Sequence, residues 1–142
     1  MSVQAFITAL KVELEASLPS YSVQAFEPIE GQLKVGTDSK FIFITTEGIE
    51  SPEGVADMGA STRIRVPVLV SCVMALPDNE VLAAKILRRR LVIIQACQRV
   101  VRDFDPNVLV YLVQEQPSLI EGFYVSIVQL DVQYDLQAEE EL

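Results

Sequence analysis

Apolar residues recur at helical spacing near the start of the chain. From Phe6 to Leu18 every fourth residue is Phe or Leu, while Lys11 and the neighbouring acids lie elsewhere. This spacing places the apolar side chains on one face of a helix. The pattern therefore predicts an amphipathic helix over residues 3–18, ended by Pro19.

A second and longer helix is predicted over residues 79–103. Asn79 is suited to cap its first turn, and Glu80 lies where the positive end of the helix dipole favours an acid. Apolar positions occupy a wider arc of this helix than one sheet usually covers. A second packing partner is the simplest explanation of that width. The residues that widen the arc are Leu82, Ile86, Leu91, Ile93 and Val100.

Two stretches in the first half of the chain have the pattern of strands. Residues 41–46, FIFITT, are apolar on both faces, which predicts a strand covered on both faces or by a neighbouring subunit. Residues 63–75 place an unbroken apolar row on one face and a mixed row on the other. Pro67 cannot donate to a sheet ladder, so it predicts an edge strand or a bulge.

Two further strands are predicted near the end of the chain. Residues 123–136 alternate between apolar side chains and Gln or Asp, which is the clearest strand pattern in the sequence. Residues 108–113 form a shorter apolar run. The stretch between them, QEQPSLIEG at residues 114–122, is predicted to be the hairpin connection.

The remaining segments are predicted to lack long regular elements. Residues 20–40 indicate short extended pieces and turns, residues 47–62 a long flexible loop, and residues 137–142 a frayed acidic end. A chain of 142 residues that is 50% hydrophobic can form one compact core. We therefore expect a single domain over residues 1–142. Its predicted fold class is α+β, a mostly antiparallel sheet with an N-terminal helix and one long helix packed on it.

Charge is distributed unevenly along the chain. The net charge is −9, yet residues 79–103 hold six of the eleven Lys and Arg residues and only two acids. This helix is therefore +4 and the remainder −13. The acidic balance argues against binding nucleic acid through a broad basic surface. The segregation instead favours attraction between subunits, or to a partner, through unlike surfaces.

Residue types exclude several kinds of chemistry. The chain contains no histidine, so it lacks the usual base for a Ser or Cys nucleophile and the commonest transition-metal ligand. No Gly-rich phosphate cradle is present. A metal-dependent enzyme that uses only carboxylates stays open as a third class, but the acids are scattered. We expect no enzyme activity, no cofactor and no metal.

Two further features bear on compartment. Cys72 and Cys97 lie in apolar patterns without CxxC spacing, which predicts buried, reduced thiols. The chain begins without the pattern of a signal peptide, and no apolar run reaches bilayer length. We therefore expect a soluble protein with no membrane partner.

The candidate contact residues are the basic side chains of the long helix and several acids. Three consecutive helical residues point in three directions, so at least one of Arg88, Arg89 and Arg90 must leave the polar stripe of the helix. Three interpretations of these arginines stay open. They pair with acids of the same chain or lie along its apolar surface, they pair with carboxylates of a neighbouring subunit, or they contact phosphate. The predicted subunit or partner interface is Lys85, Arg88, Arg89, Arg90, Arg99, Arg102, Asp131, Asp135, Glu47, Glu50, Glu53 and Asp57.

The order of elements resembles that of the bacteriophage tail terminator proteins, also called tail completion or head–tail joining proteins. The resemblance covers nearly the whole chain. It is carried by the opening helix VQAFITALKVELEASLP, the strands FIFITT and RIRVPVLVSCVMA around a long polar loop, the helix ALPDNEVLAAKILRRRLVIIQACQRVVRD, and the closing strand GFYVSIVQLDVQYDL.

This resemblance implies a structural protein that forms a ring, usually hexameric, on the head-proximal end of the tail tube. Such a ring ends tail elongation and joins the tail to the neck. The implied partners are other copies of the chain, the tail tube protein and neck or adaptor proteins, with DNA only as cargo passing through the lumen. The implied location is the virion, after assembly in the host cytoplasm.

Two other functions fit the same residues. One is a different neck or adaptor protein of the virion. The other is a cytosolic, dimeric ligand-binding or regulatory α+β domain, in which the apolar face of the long helix lines a pocket instead of a subunit contact.

Overall fold

Seven elements form a two-layer α+β domain, with both helices on one face of a five-stranded sheet. The computed structural model describes residues 3–26, 40–50, 63–120 and 122–135. The helices are α1 (Val3–Ser17) and α2 (Glu80–Asp103). The strands are β1 (Ser22–Ala25), β2 (Phe41–Thr46), β3 (Arg63–Met74), β4 (Leu109–Ile120) and β5 (Phe123–Asp135). The predicted fold class is confirmed.

The sheet has the order β1-β2-β3-β5-β4. Its pairings are antiparallel except for β1 with β2, so the expected antiparallel character is also confirmed. The neighbouring strands β3 and β5 pair along the whole of β3, from Arg63 with Asp135 to Met74 with Tyr124. They form the centre of the sheet, while β1 and β4 are its two edges.

The core lies between this sheet and the two helices. On β3 and β5 the alternate residues that face the helices are almost completely buried, as the strand periodicity predicts. Phe6 of α1 contacts Phe104, the residue that caps the end of α2, with ring centroids 5.4 Å apart in an edge-to-face arrangement. The apolar face of α1 thus closes the core on the β1 side. Its buried residues are Phe6, Ile7, Leu10 and Leu14.

Both helices begin and end as the sequence indicates. Asn79 caps α2, because its side-chain oxygen accepts a hydrogen bond of 2.8 Å from the backbone N–H of Leu82. The predicted second packing partner of α2 is α1, which lies beside it on the same face of the sheet. Cys72 and Cys97 are buried free thiols, which confirms that prediction.

Pro67 lies in a central strand, so the prediction of an edge or a bulge is wrong. It pairs with Asp131 in an unshifted register. Its carbonyl accepts a hydrogen bond from the backbone N–H of Glu47, just beyond the end of β2 at Thr46. Because N–H and C=O of one strand residue point to the same neighbour, the missing donor faces the side where β2 has ended. The proline therefore interrupts no regular ladder.

The hairpin at the end of the chain is the second correction. Residues 114–122 were predicted to be its connection, but β4 continues to Ile120 and only two residues separate it from β5. A register shift between Leu112 and Gln114 changes which side chains face the helices. Gly122 has a φ of 83°, which suits a tight turn.

Several predictions lie outside the described residues. These are the flexible loop beyond Glu50, the acidic end at 137–142, and most of residues 20–40. Within the described part of that last segment, β1 forms one short extended piece. Residues 47–50 carry no regular strand and make an isolated bridge between Glu50 and Arg65.

Candidate assembly surface

The six basic residues of α2 separate into those bound within the chain and those facing solvent. Arg89, Arg90 and Arg99 each donate to a side chain outside α2. In the part of the chain that the structure describes, Arg102 pairs with its neighbour Asp103, and both side chains are 71% exposed. Lys85 and Arg88 are exposed. Half of the predicted basic interface is thus used to hold the domain together.

The pair between Arg90 and Glu115 joins α2 to the edge strand β4. Arg90 donates from Nε and from a terminal nitrogen to the two carboxylate oxygens, at 2.5 and 2.7 Å, which is the paired geometry that arginine and carboxylate prefer. Ser126 on β5 donates a third hydrogen bond to Glu115 at 2.8 Å. The Glu115 side chain is only 8% exposed. Its hydrogen bonds with Arg90 lower the pKa of this carboxyl, against the opposing effect of burial.

The pair between Arg99 and Glu13 joins α2 to α1. Arg99 donates to the carboxylate at 2.6 Å and to the hydroxyl of Ser17 at 2.9 Å. Arg89, on the same side of α2, donates to the hydroxyl of Tyr21 at 3.3 Å. Burial raises the pKa of Tyr21, so its hydroxyl stays neutral at physiological pH. The side of α2 that faces α1 is therefore packed against that helix, and Arg89 and Arg99 have partners there.

The acids in the predicted interface lie away from α2. Asp131 and Asp135 alternate with the buried residues of β5, so they project from the sheet face without helices. There Asp131 lies 3.9 Å from Arg65, and Asp135 lies 3.6 Å from Arg63. Glu50 also pairs with Arg65. These acids do not meet the helix arginines of their own chain.

The other acids of the predicted interface are Glu47, Glu53 and Asp57. Glu47 is exposed beside the end of β2. Glu53 and Asp57 lie outside the described residues. Within one chain, therefore, none of the described acids of the predicted interface contacts the basic residues of α2.

The outer edge of the sheet carries exposed apolar side chains. Leu112 and Leu119 lie on the helix face of β4, because their partners in β5 face the core, while Tyr111 and Ile120 lie on the other face. Two side chains of α2 are also exposed. These are Leu87, one turn before Arg90, and Leu91. We call this set the β4 surface. Its members are Leu87, Leu91, Leu109, Tyr111, Leu112, Val113, Leu119 and Ile120.

The β4 surface was not predicted from the sequence, because the middle of β4 has the composition of a polar loop. A connection, not a strand, was predicted from Gln114, Glu115, Gln116 and Pro117. The apolar residues at either end of β4 are the only local signal for its true length. Glu115 in particular was missed, since its partner Arg90 lies 25 residues earlier.

Little in the described residues suggests chemistry at this surface. Burial raises the pKa of Cys72 and of Cys97 to about 12, so both thiols stay protonated and unreactive at neutral pH. Within residues 3–26, 40–50, 63–120 and 122–135, no group of three or more Cys, Asp and Glu could hold a metal ion. Neither of the two described helices combines the length and apolarity needed to cross a bilayer.

Comparison of the chain with protein-family models and with curated protein sequences yields no match.

Proposed function

We propose that this protein is a structural ring protein of a bacteriophage tail, which caps the head-proximal end of the tail tube and joins it to the neck. The observation that carries the proposal is the β4 surface. One copy of the domain leaves a long strand edge, with exposed apolar side chains on both faces of that strand. A surface of this kind marks a contact with another protein.

The architecture supports the same proposal. A small α+β domain with an opening helix, one long helix and a closing strand is the kind of subunit that the resemblance to tail terminators implies. Such a subunit contributes one segment of a ring, in which each copy uses two different surfaces to contact its two neighbours. The sheet has two separate edges, β1 and β4, on opposite sides of the domain.

The charge of the chain also fits a ring around DNA. With a net charge of −9, a channel formed by several copies repels the phosphate backbone and lets it pass without binding. The exposed basic residues Arg88 and Arg102 are then available for acids of a neighbouring copy or of a neck protein. DNA is cargo in this proposal, not a ligand.

Solution mass tests the proposal directly. Light scattering on purified protein, over a concentration series with and without magnesium and salt, measures the number of copies. Six copies of a 15.8 kDa chain give about 95 kDa. A closed species of that mass, seen as a ring with a central channel by electron microscopy, supports the proposal.

Two other results count against it. A fixed dimer under all conditions favours the ligand-binding domain. A monomer that also fails to bind the ends of purified tail tubes leaves no capping activity. The decisive biological test is the phage that encodes the chain, because loss of a tube cap yields overlong tails, and tails of normal length contradict the proposal.

A further inference from the structure

We infer that the β4 surface is the place where a second copy of this chain binds, with the partner adding to the open edge of β4 and covering Leu87 and Leu91 of α2. This inference names a contact within the proposed ring and to that extent rests on the proposed function. It also makes a separate claim, because it specifies which side of the domain associates.

The edge of β4 is open and long. Among the described residues, no strand pairs with its outer side. It has twelve residues, whereas the opposite edge strand β1 has four. Edge strands of this length usually carry lysines or other charges that prevent pairing with another chain. β4 has no lysine or arginine, and its register shift and Pro117 leave residues 109–112 and 118–120 as the parts of the edge open to regular pairing.

Apolar side chains are exposed on both faces of β4. Leu112 and Leu119 project on the helix side, and Tyr111 and Ile120 on the other. Leu119 is 68% exposed. An added strand alongside β4 would therefore find apolar neighbours above and below the sheet. This arrangement suits a folded protein that supplies a strand within its own sheet.

The charge of the β4 surface is compatible with another copy of the same chain as the occupant. Two copies with a net charge of −9 repel one another over most of their surfaces. The only ionisable group of β4 besides Tyr111 is Glu115, and Arg90 pairs with both of its oxygens. The β4 surface therefore has little net charge, so copies can approach here without the repulsion between their acidic surfaces.

The size of the surface is sufficient for a stable contact. Twelve residues at about 3.3 Å each make β4 about 40 Å long. Sheet and helix together present a height of about 20 Å, because packed layers lie about 10 Å apart. The resulting footprint is about 800 Å², which is the area that each partner buries in a standard interface.

The test replaces two exposed leucines of the β4 surface by lysine. The double variant Leu112→Lys with Leu119→Lys places charges on the open edge without disturbing the core. The control is Leu76→Lys with Val81→Lys, which makes the same change of charge at two exposed apolar residues outside the β4 surface. Light scattering measures the mass of each protein, and circular dichroism confirms that each remains folded.

We expect the β4 variant to dissociate to folded monomers at concentrations where the wild type and the control are assembled. Equal masses for all three proteins, with the wild type assembled, would overturn this inference and leave the proposed ring intact. Wild-type dimers that the β4 variant abolishes would support the contact but contradict the ring. A wild type that stays monomeric at every concentration would overturn the contact.

A second measurement needs no variant. Hydrogen exchange of the wild type, followed by mass spectrometry of peptides from β4, compares dilute with concentrated protein. Amides on the free edge exchange rapidly in the monomer and become protected when a strand pairs with them. Protection that appears only at high concentration, and in β4 more than in β1, supports the inference. Protection elsewhere without a change in β4 contradicts it.

Discussion

The two sides of α2 differ in how completely the chain covers them. On one side α1 packs against the helix, and Arg89 and Arg99 bind Tyr21, Glu13 and Ser17. On the other side, Arg90 is the described residue of α2 that crosses to the sheet, where it contacts Glu115 and Tyr124, and Leu87 remains half exposed. Both sides use arginine in the same manner, but only one is closed by a second helix. The open side is where a neighbouring protein can take the place that α1 has on the other.

The largest difference in the free energy of unfolding is expected between a leucine of α1, on the covered side, and an exposed leucine of α2. Leu10 of α1 is fully buried, so Leu10→Ala leaves a cavity and lowers the free energy of unfolding by about 3 kcal/mol. Leu91 is half exposed, so Leu91→Ala changes it by less than about 0.5 kcal/mol. Urea unfolding monitored by circular dichroism measures both values.

The effect on association should be larger for Leu91→Ala than for Leu10→Ala, the reverse of the effect on stability. Leu91→Ala removes part of the β4 surface and is expected to weaken assembly, although the domain keeps its stability. If Leu91→Ala costs as much stability as Leu10→Ala, then α2 is covered on both sides within one chain. The comparison between its two sides would then be invalid.

The second prediction concerns the pair between Arg90 and Glu115 on the open side. Arg90→Met leaves the Glu115 carboxylate nearly buried without its partner, which lowers the free energy of unfolding by about 2 to 3 kcal/mol. Arg102→Met is the matched control, because the Arg102 pair is fully accessible and contributes little. Thermal or urea unfolding of the two variants measures the difference, and equal stability would show that the Arg90 pair is not a structural link.

Acidification offers a separate check on the same pair. The folded-state pKa of Glu115 is lowered by its hydrogen bonds with Arg90, so its contribution to stability is complete above the unfolded-state value of about 4.3. This contribution is lost as the pH falls through the lower folded-state pKa. The stability difference between wild type and Glu115→Gln should therefore be largest near neutral pH and shrink in acid. A difference that stays constant with pH would assign the effect to packing.

The elements themselves could be predicted from the sequence where one pattern dominates. The helical spacing of α1, the capped start of α2 at Asn79 and the alternation of β5 lead to bounds within a residue or two of the observed ones. These features depend on neighbours close in sequence. The fold class follows from their order.

The contacts of the arginines could not be predicted in the same way. Arg90 meets a residue 25 positions away, and Arg99 meets Glu13 from 86 positions away. Local spacing contains no information about such pairs. The sequence shows that Arg88, Arg89 and Arg90 point in different directions, but only the packing of α1 and β4 decides which of them finds a partner. That packing also decides which apolar residues remain exposed.

The smallest effect on stability is expected from the exposed arginines that have no such role. Arg88 and Arg102 face solvent, so Arg88→Glu with Arg102→Glu should leave the free energy of unfolding nearly unchanged. Arg99 is left unaltered in this variant, because its reversal would place a carboxylate against Glu13 and disturb α1.

Association tests whether these exposed arginines contact acids of a neighbour. Each exposed pair is worth up to about 1 kcal/mol, so reversing both should weaken assembly about tenfold and reduce its sensitivity to salt. Light scattering at low and high salt measures this change. Unaltered assembly at both salt concentrations would mean that copies meet through the apolar β4 surface without help from the basic residues of α2. A loss of assembly as complete as that of the Leu112 and Leu119 variant would instead make the charged side of α2 an equal part of the contact.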